Sequence, residues 1–365
     1  MFTNRFLNCF LIMAFAIGLS ACGAINTWRA SSTKYDGDNP EVKPDPLIQK
    51  ELGEIAHKFG LMALFAKVVY RDDLVESERT GVGCKYLSRS KQASEAVPGY
   101  GMPSDNPTSA SSGPNNRWLR WHEIIEEAGP PCMDKGGLYY ETYIHLNSQG
   151  KLDKVVIAFR GTENYRTQLV RDWTTNFAAA FGIEPSQYRL ARDAMEHLIP
   201  TIVKRFEAEG MPVKIFTTGH SLGGGLAQQL GYMTDHVSEV VTFNTTPVTN
   251  WTFLRLDKKV VNHYPTIYRL EHEGEFLGFA RFVATTATKA RYNRYDIGLQ
   301  INEKGLFEGH KIAIFACEFA KIVAAQPGHD YPEHYPKEYA GYISKQEGHR
   351  LGSDDNAVCK EPKKH

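Results

Sequence analysis

The chain has 365 residues, 42% of them hydrophobic and 23% charged, enough to bury a core as one large domain or two ordinary ones. Its 42 Lys and Arg are cancelled by 42 Asp and Glu, leaving no basic surplus to neutralise a phosphate backbone. Nucleic acid is therefore not expected as a partner.

Arg5 precedes an apolar run over residues 6–19, too short for a membrane span and of the right length for the core of a secretory signal. The run ends in Leu19-Ser20-Ala21-Cys22, which resembles the lipobox of bacterial lipoproteins. That resemblance implies a signal peptide over residues 1–21, cleavage before Cys22 and lipidation of Cys22. Each acyl methylene that enters a bilayer then contributes about 0.8 kcal/mol of anchoring. Gly23, rather than Asp, after the cysteine implies sorting to an outer membrane within the same resemblance. An ordinary signal with an incidental Cys22 is the alternative. Residues 22–46, rich in Ser, Asp, Asn and Pro, read as a solvated tether, and residues 47–365 as the folded domain.

With Cys9 in the signal and Cys22 assigned to lipid, Cys84, Cys132, Cys317 and Cys359 remain, an even number that suggests disulfides in an exported chain. Three pairings are possible. Cys84 with Cys132 is favoured because they bracket an insertion at about 84–132 rich in Ser, Pro and Gly, and closing that loop adds about 4 kcal/mol in the chain-entropy account. Cys317 with Cys359 would then tie down the tail; two free thiols are the alternative.

The segment after the tether carries Ile48, Leu52, Ile55, Phe59, Met62 and Val69, mostly three or four apart, which predicts an amphipathic helix. LYYETYIHL and KVVIAFRG predict two strands joined by a turn over 147–150. A helical pattern over 188–209 leads into a strand at 213–217, and EVVTF and TIYRL predict further strands. Strands alternating with helices indicate an α/β domain with a largely parallel central sheet flanked by helices. There is no internal repeat and no second domain boundary.

Gly219-His220-Ser221-Leu222-Gly223 matches the G-x-S-x-G elbow, in which a sharp strand-to-helix turn lifts a serine hydroxyl above the sheet. Five residues in a chain with 31 glycines are a weak signal alone. The context adds to it: VKIFTT runs in as a strand and LGGGLAQQLGY runs out with helical spacing.

Together, AFRGTENYRTQLVRDWTTNF and FTTGHSLGGGLAQQLGY resemble the class 3, fungal-type lipases of the α/β-hydrolase fold, over roughly residues 50–325 in organisation. The resemblance implies an oxyanion hole formed by Thr162, at the FRGT strand end, and the backbone N–H of Leu222. It assigns Asp172 and Trp173 a structural role near the site. It also places a lid after the oxyanion strand, so the segment 163–183, with NFAAAFGI, is read as a cover over an acyl groove or else as an ordinary buried helix.

A serine nucleophile needs a histidine held in the right tautomer by a carboxylate, and in this fold the chain order is Ser, acid, His. With Arg269 and His272 in register, the resembled family's aspartate falls at Glu275, with Glu273 and Glu271 as alternatives. His310, where a loop meets the apolar helix of KIAIFACEFAKIV, is the candidate base. His329, His334 and His349 lie farther along in polar sequence, His272 is too close to the acids, and His220 is expected to pack behind the nucleophile. TFNTTP, residues 242–247, departs from a glycine-containing pattern near TFGSP in the resembled family.

No metal is expected, because His329 and His334 lack the spacing of H-E-x-x-H, and no nucleotide loop is present. The expectation is a lipid-anchored envelope hydrolase of lipid carboxylic esters, using Ser221, His310 and Glu275 without a cofactor. Its partners are a lipid ester substrate and the membrane that holds Cys22. A small-ester or thioester hydrolase, and a non-catalytic envelope lipoprotein of the same fold, are the rivals.

Overall fold

The computed structural model describes residues 29–36, 39–46, 49–70, 117–121, 131–161, 185–262, 265–273, 275, 294–301, 309–325 and 359. Among these, ten strands form one mixed sheet in the order β2-β1-β10-β9-β8-β7-β6-β5-β3, with β4 also paired to β5. The centre is parallel: β6 (Leu152–Phe159), β7 (Ile215–His220), β8 (Val237–Phe243), β9 (Ile267–His272) and β10 (Arg294–Gln300) run the same way. Both flanks are antiparallel, formed by β3 (Arg117–Arg120), β4 (Cys132–Lys135) and β5 (Leu138–Leu146) on one side and by β1 (Arg29–Asp36) and β2 (Asn39–Pro46) on the other. The expected largely parallel sheet is thus a five-strand parallel centre inside a mixed one.

Strands β6 to β9 show why the centre is buried on both faces. In β6, Val155, Ile157 and Phe159 enter one core while Val156 and Ala158 enter the other, a continuous apolar run rather than a polar alternation. The parallel strands advance across the sheet in sequence order, and right-handed crossovers then put their connecting helices on one face. That face carries α2 (Ser186–Ala208) and α3 (Leu222–Met233), and Trp251 of the short α4 (Trp251–Leu256) packs there too. The opposite face needs helices from outside the run: α1 (Gln49–Val68) and α5 (Ile312–Ala325), which pack on each other and on the sheet.

Two sequence expectations change. The helix at 49–68 is not one-sided: from Phe59 to Val68 every residue is buried, because α1 lies between the sheet and α5. Residues 29–46, assigned to the tether, form a hairpin whose β1 pairs with β10. Pro40, Pro44 and Pro46 stand in β2, the edge strand, where a missing N–H costs no ladder bond to a further strand. Residues 22–28 of the tether, and Cys22 itself, lie outside the described residues.

Cys317 on α5 is bonded to Cys359, with Cα atoms 5.6 Å apart. Cys132 is also disulfide-bonded; its expected partner, Cys84, lies outside the described residues with the rest of the 84–116 segment.

His57, 4% exposed on α1, has its pKa pushed down from 6.5 to about 4 by burial. Below pH 6.5 the unfolded chain takes up a proton that the fold refuses until about pH 4. The stability linked to neutral His57 is therefore complete above pH 6.5 and is lost as pH falls toward 4, by about 3 kcal/mol in all. Urea unfolding at pH 7, 5.5 and 4.5 should show this fall, and His57→Leu should flatten it; equal slopes for the two proteins would contradict it.

Candidate active site

Parallel strands bring their carboxyl ends to one edge of the sheet, and the candidate residues converge there. Ser221 follows β7 directly and caps α3, with φ 56 and ψ −125. An L-residue in that conformation stores about 1–3 kcal/mol of strain and persists only when its surroundings enforce it. Here Ser221 N–H donates to Phe243 O at the end of β8 (3.0 Å). Ser221 O accepts from the N–H groups of Gly224 (3.0 Å) and Thr246 (3.1 Å).

The surrounding glycines are required by contact. A Cβ on Gly223 would lie 2.2 Å from Phe159 O, and one on Gly219 would lie 2.3 Å from Gly223 backbone atoms. The helix start thus sits directly on the ends of β6 and β7. At Gly161 a Cβ would meet His220 O at 2.5 Å, the Tyr70 hydroxyl at 2.6 Å and Ser221 Cβ at 3.2 Å. The FRGT strand end is therefore beside the serine, although Thr162 lies outside the described residues. Leu222 is the first residue of α3, where backbone N–H groups have no acceptor within the helix and the helix dipole favours negative charge. The lid segment 163–183, Asp172 and Trp173, and His329, His334 and His349 also lie outside the described residues.

The structure brings His310 and Glu275 together. His310 Nδ1 is 2.7 Å from Glu275 Oε2, and both side chains are fully buried. With Nδ1–H donating to the carboxylate, Nε2 is the ring nitrogen left for proton transfer. Glu271 instead lies 3.4 Å from the Arg269 guanidinium. His272, at the end of β9, sets its ring against the backbone of Ile301.

Three further residues define the site. His220 Nε2–H donates to the carbonyl of His310 itself (2.5 Å), and the Tyr70 hydroxyl donates to His220 Nδ1 (2.8 Å). The two histidine rings lie 4.7 Å apart between centroids. His220, the residue before Ser221, is thus buried between the Tyr70 hydroxyl and the backbone of His310, the candidate base. Asn244, fully buried with φ 42, donates from Nδ2 to Gly309 O (2.9 Å) and accepts at Oδ1 from His272 N–H (2.7 Å). Sequence reasoning missed Tyr70, which stands 150 residues from His220, and missed Asn244 except as part of the departing TFNTTP segment. Among the described residues, no group of three or more His, Cys, Asp or Glu is placed to hold a metal ion.

The chain is thus an α/β protein with a mixed sheet, in which a serine in a strained strand-to-helix turn and a buried His–Glu pair lie at the carboxyl edge of the parallel strands. Residues 123–278 match a family model described as phospholipase-like, a Tle-like phospholipase domain. The matched span contains Ser221 and Glu275 and ends before His310. No curated protein matches the chain. Among solved structures, the chain is similar to the extracellular lipase LipA from Serratia marcescens at 15% identity and a TM-score of 0.31, covering 66% of this chain and 41% of that one. The chain thus spans about two fifths of that lipase's length.

Gly223→Ala is expected to lower stability by about 1–3 kcal/mol, because its Cβ would meet backbone rather than a movable side chain. Thermal unfolding checks this, and an unchanged midpoint would show that the helix does not rest on β6 as described.

Proposed function

We propose that the chain is a serine hydrolase of the α/β-hydrolase fold, related to class 3 lipases, that cleaves carboxylic esters of lipids through an acyl-enzyme. The observation that carries this reading is the His310–Glu275 pair at 2.7 Å, reached from elements on either side of the strained Ser221 turn. The phospholipase-like match over 123–278 supports a lipid ester substrate and favours a phospholipid over a triacylglycerol.

In this mechanism Ser221 Oγ attacks the ester carbonyl carbon while His310 Nε2 takes its proton, and Glu275 stabilises the imidazolium that forms. The tetrahedral oxyanion is held by the Leu222 N–H and by Thr162, where losing one donor typically costs about a hundred- to thousandfold in turnover. Collapse breaks the ester C–O bond, and the leaving alcohol takes the proton from His310. Water then attacks the acyl-Ser221 carbonyl as His310 takes its proton, and the C–Oγ bond breaks as His310 returns that proton to Ser221 Oγ, releasing the carboxylic acid, which ionises in solution. The segment 163–183 is assigned to a lid over the acyl groove, and Cys22 to an anchor that keeps the site near membrane lipid in the bacterial envelope, at the outer membrane.

Hydrolysis of a soluble short-chain ester and of dispersed phospholipid by the protein lacking residues 1–22 tests the chemistry. Ser221→Ala, His310→Ala and Glu275→Ala should each lower turnover by roughly ten-thousandfold or more while remaining folded. Preference for the soluble ester with no gain on dispersed lipid would favour a simple esterase. No turnover and no fluorophosphonate labelling of Ser221 in the wild type would favour a non-catalytic lipoprotein.

The anchor is tested separately. In the full chain Cys22→Ala should move the protein from the membrane fraction to the soluble one; membrane association that persists until detergent is added would place the anchor elsewhere.

A further inference from the structure

The described residues hold several polar clusters away from Ser221. Arg120 and Glu141 pair in the core between β3 and β5, and Arg269 forms a two-pronged contact with Asp296 between β9 and β10. Each of these joins neighbouring strands. Asn244 differs from them, because its bonds join loops that carry different parts of the candidate site.

We infer that Asn244 is a positioning residue that sets the His310–Glu275 pair relative to Ser221, an inference that rests on the proposed triad. Three connections meet at this residue. Its Nδ2 holds Gly309 O, the carbonyl immediately before His310. Its Oδ1 holds His272 N–H, and His272 O in turn accepts from Glu275 N–H at 3.3 Å. Its chain neighbour Phe243 accepts the N–H of Ser221, and Asn244 N–H itself bonds Leu270 O on β9 (2.8 Å). One amide side chain thus couples the base arm to the acid arm, while its backbone is locked to the nucleophile strand and to β9.

The amide group suits this place. A carboxamide offers a donor and an acceptor on one planar group that stays neutral at any working pH, and Asn tolerates φ 42 better than most L-residues. Full burial leaves no water to take over either bond cheaply, so the side chain cannot drift without leaving a backbone group unsatisfied. His220 grips the next carbonyl along, that of His310, from the end of β7. Consecutive carbonyls of the base arm are therefore held from two adjacent strands, which fixes the direction in which the His310 ring leaves the backbone.

Two variants separate positioning from packing. Asn244→Asp keeps the shape and the acceptor for His272 N–H but turns an oxygen toward Gly309 O. Asn244→Gly removes both side-chain bonds and suits the positive φ, so it carries the test should the aspartate variant fail to fold. Turnover of a soluble short-chain ester is measured per active site titrated with a fluorophosphonate, alongside the low-field proton resonance of the His310 Nδ1–H, assigned by its loss in Glu275→Gln. Both variants should lower kcat by about 10- to 100-fold with KM within about twofold, the scale of a small misplacement of a reacting group. The low-field resonance should broaden or vanish in both. Unchanged kcat per titrated site with an unmoved resonance would overturn the inference, even if the thermal midpoint fell. If Ser221→Ala leaves turnover intact, the triad reading has failed instead, and the resonance alone then decides whether Asn244 sets the His310–Glu275 pair.

Discussion

The site depends on the backbone of Ser221 being held at φ 56 and ψ −125. A turn of this kind is unfavourable in isolation, and it exists because three strand ends and a helix start enclose it. Ser221 N–H is committed to β8, Ser221 O to the first turn of α3 and to Thr246, and Gly161 and Gly223 bring β6 against the same few atoms. Any side chain at Gly223 would press on Phe159 O, and any at Gly224 would press on Thr245. The glycines therefore measure how closely helix and sheet approach, and they have no need to bind a phosphate.

Strand direction then decides which residues gather at the carboxyl edge of the sheet with Ser221. Each of β6, β7, β8 and β9 delivers something at its carboxyl end: Gly161, Ser221, Asn244, and the His272 to Glu275 turn. His310 comes from the other side, at the entrance to α5, which is present because the crossover helices leave one sheet face bare. A carboxylate as dry as Glu275 is costly unless it is paired, and the imidazole of His310 at 2.7 Å meets that requirement with a charge-assisted contact. The need to cover the second face and the need to pair a buried acid are thus met by adjacent residues of one helix entrance.

Much of this was legible because it is local. The elbow, its incoming strand, its outgoing helix and the β5–β6 hairpin are each written within about 20 residues, as period-two or helical patterns with turn residues between them. Glu275 is singled out from Glu271 and Glu273 only by the register of Arg269 and His272 in the resembled family, since local pattern does not separate three glutamates in five residues. The hairpin over 29–46 was hidden by its composition: prolines that mark a linker elsewhere are tolerated on an edge strand, and β1 pairs with β10, from Tyr35 opposite Arg294 to Arg29 opposite Gln300, far along the chain. Tyr70 carried no signal at all, because a single tyrosine after a buried helix says nothing about a histidine 150 residues later.

Two departures from the resembled lipase pattern, a glutamate in place of the aspartate and an asparagine within TFNTTP, lie on one hydrogen-bonded path. Asn244 Oδ1 holds His272 N–H, and His272 O holds Glu275 N–H. A glutamate is longer than an aspartate by one carbon–carbon bond, about 1.5 Å. Glycine at position 244 would give the His272 turn no side chain to rest on, whereas asparagine sets both its distance from β8 and its tie to Gly309. At the end of that path His310 meets a carboxylate oxygen of Glu275 at 2.7 Å.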